Sequence, residues 1–499
     1  MKIFNIPFIC SLFAITLASA QYTTPDTGVT WNLDDLAAES PATLTVSGST
    51  YTLLQDLIIA ESDALTIDQT ATLEIEDGVR VTVFGAFSVT AEDVIITAVD
   101  QSLPYDGFRF EEFSEINIQN ATIEYGGGLQ VLTEDFTLNN CILQHNVSGT
   151  ATGATVTMSR GIPVITNNSF LFNANPALSS GANQSVSAYI FNNYIEGNNQ
   201  TNNNRPQINM GATRSTDTLK IIQNTIIGDR DLFMAGGISV ANFFNAPVYA
   251  VIEDNTIIDN RYGITILGNN DYVSIKNNII EDNDTQNSPM EGGSGVNLFS
   301  AAGAQNVFLT ENQIRRNLWG ITVQQQNSGE SNINLGDDED NPGGNIFSEN
   351  YNDGDEDFDI SPGTYSIFNN TSNTISAKHN CWVEDGEGTL EEAEDVIFHI
   401  VDDPDLGEVI FDPINCNDMS TPDFSANEIQ LYPNPAYNQV SFSNSDFNKV
   451  AFYNLQGKKV FEADLIEGEN AVNFNLESGM YFLSFQNETL TVVKKLLVK

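Results

Sequence analysis

A short apolar unit returns at irregular steps through the middle of this chain, and it restricts the fold more than any other feature. Its first half is Asn-x-[Ile/Phe], seen as Asn140-Cys141-Ile142, Asn168-Ser169-Phe170, Asn193-Tyr194-Ile195 and Asn224-Thr225-Ile226. It continues as Asn255-Thr256-Ile257, Asn278-Ile279-Ile280 and Asn312-Gln313-Ile314, at steps of 28, 25, 31, 31, 23 and 34 residues. Its second half is Gly-[Ile/Val]-x-[Ile/Val/Leu], as in Gly237-Ile238-Ser239-Val240, Gly263-Ile264-Thr265-Ile266, Gly295-Val296-Asn297-Leu298 and Gly320-Ile321-Thr322-Val323. An apolar-x-apolar triplet has period two, so both apolar side chains point the same way. A triplet alone is too short for a stable sheet. Stacked on its copies in successive coils, it builds a continuous parallel sheet over a continuous core. The Asn or Gly before each triplet suits a sharp bend, since both tolerate left-handed backbone, and stacked Asn side chains can bond up the ladder. Loops of different length leaving a corner account for the uneven steps; the insertion 282–293 is one such loop.

The N-terminal part follows the same logic. Leu65-Thr66-Ile67, Leu73-Glu74-Ile75 and Val81-Thr82-Val83 are spaced by 8 residues, about one three-sided turn. Residues 21–45, with Trp31 and Leu36, are expected to cap the open end. The C-terminal cap is expected to begin at Ala377–Trp382, to include a short helix at Glu391–Ile400 and a strand at Val409–Phe411, and to be stapled by Cys381 and Cys416. Cys141 is then left as a small buried hydrophobe. With these triplets over roughly residues 50–417, the body resembles the secreted right-handed parallel β-helix proteins of the pectin-lyase-like superfamily. That resemblance implies an architecture. It leaves activity open, because the fold hosts lyases, hydrolases, epimerases, adhesins and spacers.

Both ends point to export. Residues 1–20 read as a signal peptide: Lys2, an apolar run from Phe8 to Leu17, then the small residues Ala18-Ser19-Ala20. The run is shorter than the ~20 residues that span a bilayer. Charge steps near residue 430. Residues 21–430 hold 12 Lys+Arg against 60 Asp+Glu, and residues 431–499 hold 6 against 7. Residues 418–428, polar and with a proline, read as a linker between a body at 21–417 and a final domain at 429–499.

That final domain reads as a small β-sandwich with ordered motifs: Leu431-Tyr432-Pro433-Asn434-Pro435, a turn at Gly457, then Gly479-Met480-Tyr481, and a basic end at Lys494-Lys495. In this order they closely resemble the type A sorting domain of the type IX secretion system. The resemblance implies recognition by that translocon through Tyr432, Pro433, Asn434, Pro435, Gly457, Gly479, Tyr481 and Lys495. It also implies removal by the system's C-terminal signal peptidase, then attachment to surface lipopolysaccharide or release.

The acidic body disfavours nucleic acid and the unaided binding of polyanionic glycans, although screening within roughly 8 Å makes local patches count for more than the total. Acidic loops at 337–341 and at Asp353, Asp355, Asp357 and Asp359 alternate carboxylates and could supply calcium with oxygen ligands. Tyr262 and Trp319 each precede a repeat glycine and are candidates for stacking on sugar. Lys220, Arg230 and Arg261 are the candidate catalytic cations for a lyase, with Arg315 and Arg316 as a second pair. Arg230 and Arg261 each follow a repeat Asn by six residues, which makes them expected neighbours on successive coils. His145, His379 and His399 show no metal-ligand spacing. The leading expectation is a cell-surface or secreted protein that binds extracellular polysaccharide or serves as an adhesin. A polysaccharide lyase or hydrolase, and a structural spacer, are the competing readings.

Overall fold

The structure is a computed structural model describing residues 21–244, 246–288, 291–300, 305–325, 331–350, 365–384, 386–416, 431, 436–444, 447–454, 458–466, 468–476, 479–487 and 491–498. Residues 1–20 and 418–428, expected from the sequence to be signal peptide and linker, and Asp353, Asp355, Asp357, Asp359, Tyr432, Pro433, Asn434, Pro435 and Gly457 lie outside the described residues. The chain divides into two units, residues 1–419 and 420–499.

Alternation writes the coils of the first unit. Asp56–Ile59, Ala64–Ile67 and Thr72–Ile75 each alternate half-exposed with buried residues, and each enters a different sheet. Arg80–Val83 then returns to the sheet of Asp56–Ile59, parallel and one coil on. Repeated along the chain, this produces sheets of 14, 14 and 13 strands among the described residues, parallel throughout except where Leu44–Ser47 pairs antiparallel with Thr50–Leu53 at the start of the 13-stranded sheet. We call them the first, second and third sheets, in the order a coil visits them. The body is a right-handed parallel β-helix, the sense that parallel crossover connections take. Its core is one column of inward Leu, Ile, Val and Phe side chains.

The third sheet consists largely of three-residue strands with an asparagine at both ends. At the corner from second to third sheet, each ladder Asn donates its Nδ2–H to the Oδ1 of the Asn one coil on. The run is Asn168, Asn193, Asn224, Asn255, Asn278, Asn312, Asn345 and Asn380, at 2.9–3.0 Å. The same Oδ1 accepts the preceding ladder residue's backbone N–H, and the amide also satisfies a core-strand carbonyl, as Asn255 does for Ile221. A second ladder at the other end of these strands runs Asn146, Asn173, Asn198, Gln207, Asn260, Asn283, Asn317 and Asn350. Gln207 reaches in from the first sheet to fill the one missing rung.

Three details depart from expectation. The left-handed residue at each bend is the one before the ladder Asn, such as Asn192 (φ 53°), Gln223 (57°) and Asp254 (58°). Pairing of Ile142 with Ser169 therefore puts Asn140 at the bend and Cys141 in the ladder, one residue out of the expected register. Cys141 is buried, its N–H bonds to Asn168 Oδ1, and burial pushes its thiol up to about 12. The repeat glycines serve close approach and have no positive φ. A Cβ on Gly263 would stand 2.4 Å from the Gly295 carbonyl oxygen, and one on Gly237 would stand 2.5 Å from that of Gly263.

The ends are closed. Helix Leu33–Glu39, capped by Asn32, buries Leu33, Leu36 and Ala37 at the N-terminal end. Helix Leu390–Asp395 begins with a capping box formed by Thr389 and Glu392, and Cys381 and Cys416 are joined by a disulfide. The second unit is all-β: Gln439–Asn444 pairs with Gly468–Asn473, and a four-stranded antiparallel sheet carries Lys449–Tyr453 and Gly479–Gln486 at its centre. Phe442 and Phe485 meet edge to face in its core.

Candidate carbohydrate-binding face

On the second sheet the outward positions of successive strands collect aromatic residues. Strands Tyr189–Phe191, Leu219–Ile222, Val248–Glu253, Asp271–Lys276 and Gln305–Thr310 lie parallel on consecutive coils. Their register sets Tyr189, Lys220, Val251, Ser274 and Phe308 in one outward column. Phe191, Ile222, Glu253, Lys276 and Thr310 form the next. On the other flank Tyr249 pairs with Tyr272. Their rings stack at 5.3 Å with 14° between planes, and Tyr272 is 49% exposed. Tyr189 and Phe191 stack side by side at 5.5 Å and 12°. With coils about 4.8 Å apart, the patch extends roughly 19 Å along the helix axis. Aromatic rings set against aliphatic neighbours on an open sheet suit the apolar faces of sugar rings.

The candidate cations are not gathered. Lys220 is exposed on this face. Arg230 and Arg261 follow the third-sheet strands Thr225–Ile227 and Thr256–Ile258, at a different corner. Arg230 is held by Asp259 at 2.7 Å and Asp284 at 2.8 Å. Arg261 is 7% exposed and donates to the Asn204 and Gln286 side chains and to the Glu291 carbonyl. Burial lowers its pKa. Arg315 and Arg316 are tied to Glu281, Asp282 and Glu384.

The two aromatics singled out from sequence are packing groups. Trp319 is 4% exposed and stacks on Phe368 at 4.6 Å. Tyr262 lies flat over Gly236, where a Cβ would fall 2.3 Å from its ring, and burial pushes its phenol up to about 12. Trp319 thus has its ring face occupied within the protein, whereas Tyr262 is half-buried with its ring against Gly236. Tyr189, Phe191, Tyr249 and Tyr272 went unnoticed in the sequence. Their signal was an aromatic at the outward position of the alternation, where a polar residue is the norm.

The acidic loop 337–342 lines a shallow open cleft with His379. Its carboxylates face their own surroundings. Asp337 Oδ1 accepts the N–H groups of Glu339, Asp340 and Asn341 at 2.7–3.0 Å, which holds its pKa well below the usual range. Asp338 pairs with Lys378 and His379. No group of three His, Cys, Asp or Glu side chains converges to hold a metal among the described residues. The histidines are separate. His145 stacks between Tyr125 and Phe172, and buried His399 accepts the Val409 N–H on Nδ1 and faces Glu394 through Nε2.

In the second unit, Gly479 opens the strand whose Tyr481 enters the core, and Lys495 stands opposite Phe482 on the neighbouring strand. Residues 430–499 match the family described as the secretion system C-terminal sorting domain. The second unit is a sorting domain. The chain is accordingly a product of the type IX secretion system, destined for the cell surface or the extracellular space. No curated protein matches the chain. Among solved structures it is similar to the periplasmic alginate epimerase AlgG, at 12% identity and a TM-score of 0.44, over 77% of this chain and 83% of that one. A double mutant of the same epimerase has a TM-score of 0.45 at the same identity and coverage.

Proposed function

We propose that the β-helix is a non-catalytic binding body for extracellular polysaccharide, carried outside by the sorting domain, and that the outer face of the second sheet is its binding surface. The observation that carries this reading is the in-register pair Tyr249–Tyr272, two coils on from the Tyr189–Phe191 pair on the same open sheet. A spacer gains nothing from outward aromatics, which cost solubility. A lyase needs an acid, a base and a charge-neutralising group within reach of one sugar. Lys220, Arg230 and Arg261 occupy two different faces, and both arginines are engaged. In this reading residues 1–20 are removed on export, the linker at 418–428 is cleaved by the C-terminal signal peptidase, and lipopolysaccharide is the anchor if the body stays at the surface.

The test is affinity electrophoresis of the full chain through gels containing soluble polysaccharides. Tyr272→Ala and Tyr249→Ala should each weaken retention by roughly two- to ten-fold, the range expected for one aromatic contact. Retention on no polymer, or retention indifferent to both substitutions, would count against this face. Release of shortened or unsaturated sugars would favour the enzyme.

A further inference from the structure

We infer that the Cys381–Cys416 disulfide is a redox latch that sets where the β-helix ends and its tail begins. Closed, it holds residues 411–416 over the last rung of the third sheet. Opened by a dithiol, that segment peels away and the tail takes root at Ile410. The rung is built on Ile346–Ser348, the last third-sheet strand among the described residues. There the Phe347 N–H donates to the Cys381 carbonyl at 2.8 Å, and the Cys381 N–H donates to the Asn345 carbonyl at 2.9 Å. Residues 379–381 thus add one more rung, in which Asn380 ends the first Asn ladder. Residues 413–416 run along its outer edge. The His379 N–H donates to the Pro413 carbonyl at 2.6 Å, and the Asn415 N–H donates to the Asn380 carbonyl at 2.9 Å. Phe411 and Ile414 pack, partly buried, against the end of the core.

Backbone pairing along 411–416 amounts to those two bonds among the described residues. That is a weak hold for a segment at the end of a domain, where chains fray at little cost. Upstream, Val409–Ile410 is paired in register with Ile375–Ser376, so the chain is fixed there without the disulfide. Downstream, Cys416 is the last described residue before the sorting domain at 430–499. A pull on the tail therefore reaches the body at Cys416, which passes it to Cys381, 1% exposed and set in the rung. Cys416 is half-buried beside Gly388, so its sulfur is the one open to attack. A dithiol attacking that sulfur forms a mixed disulfide and expels the Cys381 thiolate; its second thiol then displaces Cys416. In sum the reductant's two thiols lose two hydrogens and become a disulfide, and the two cysteines gain them. Release of residues 411–416 lengthens the tether by up to about 20 Å, at roughly 3.4 Å per extended residue. It also bares the His379 N–H and the Asn380 carbonyl as an open strand edge.

The experiment uses the full chain in native buffer, with and without dithiothreitol, read by hydrogen exchange and by alkylation at each cysteine. Without reductant, Cys381 and Cys416 should both resist alkylation. With it, Cys416 should be alkylated. Exchange in peptides covering 411–416 should then quicken by roughly ten- to a hundred-fold, part of what a cross-link closing a loop of this size is worth. Peptides across Asn255 and Asn312, deeper in the ladder, should keep their protection. Cys416→Ser should show the fast exchange without reductant and no further change with it, while Cys141→Ser should respond to reductant as wild type does. Alkylation of Cys416 before reduction overturns the latch, because no disulfide is then present. Protection of 411–416 that survives reduction also overturns it, because the segment then holds on its own. So does protection lost through the whole ladder, since the disulfide would then be holding the body together rather than the segment.

Discussion

Asp271 should make the β-helix less stable as pH rises through the mildly acidic range. It opens the strand Asp271–Lys276 at an inward position, in register with Val248 on one side and Gln305 on the other. It is 1% exposed. One carboxyl oxygen accepts from Gln305 Nε2 at 3.0 Å, and the other has no hydrogen-bond partner. Burial pushes its pKa from 3.8 to about 6. In the unfolded chain the group ionises near 3.8, while in the native state it keeps its proton until about 6. Between those values the unfolded state binds fewer protons, so stability falls as pH rises, and the loss is complete above 6. The difference of about two pKa units corresponds to about 3 kcal/mol. Asp271→Asn removes the titration and keeps the shape. Urea denaturation of both proteins at a series of pH values, read by tryptophan fluorescence, measures the effect. The variant's advantage should be near zero at pH 3.5, should grow to about 3 kcal/mol by pH 6.5, and should stay flat beyond. An advantage that does not change with pH, or a variant less stable than wild type at pH 8, would refute the reasoning.

Other perturbations probe the same architecture. Asp63 has the opposite linkage: burial acts to raise its pKa, but the N–H groups of Val29, Asp26 and Thr27 and the Thr24 hydroxyl outweigh it and hold it at about 2. Its stabilisation is present above pH 3.8 and lost as pH falls towards 2, so Asp63→Ala should loosen the N-terminal cap by about 2 kcal/mol at pH 7 and by little at pH 2, read by hydrogen exchange in residues 24–31. Asn255→Ala breaks the first ladder at its middle, leaves the Asn224 backbone N–H without its acceptor and takes a donor from the Ile221 carbonyl. At roughly 1–3 kcal/mol for each buried group left unpaired, the denaturation midpoint should fall well below that of wild type. Gly263→Ala drives a methyl into the Gly295 carbonyl and should cost roughly 1–3 kcal/mol in the same assay, as overpacking does.

The sequence by itself determined the kind of object this is. Triplets such as Leu73-Glu74-Ile75 and Asn255-Thr256-Ile257 cannot bury both apolar side chains except by stacking, so a recurring period-two unit implies a parallel solenoid wherever it occurs. The ordered motifs of the last 70 residues likewise identified the sorting domain. Tertiary structure decided who meets whom. Partners in the first ladder are 23 to 35 residues apart, because loops of unequal length leave the corners between strands. Sequence distance is therefore a poor guide to position around a coil. Six residues after a repeat Asn placed both Arg230 and Arg261 at one corner, yet one is exposed between two acids and the other is buried among neutral acceptors. Gln207 fills a rung for Asn260 from 53 residues away, and Cys141 takes a place the pattern had given to Asn140. Alternation says that Tyr249, Tyr272 and Lys220 point out. Only the stacking of complete coils, each hydrogen-bonded to the next, sets them side by side on one face.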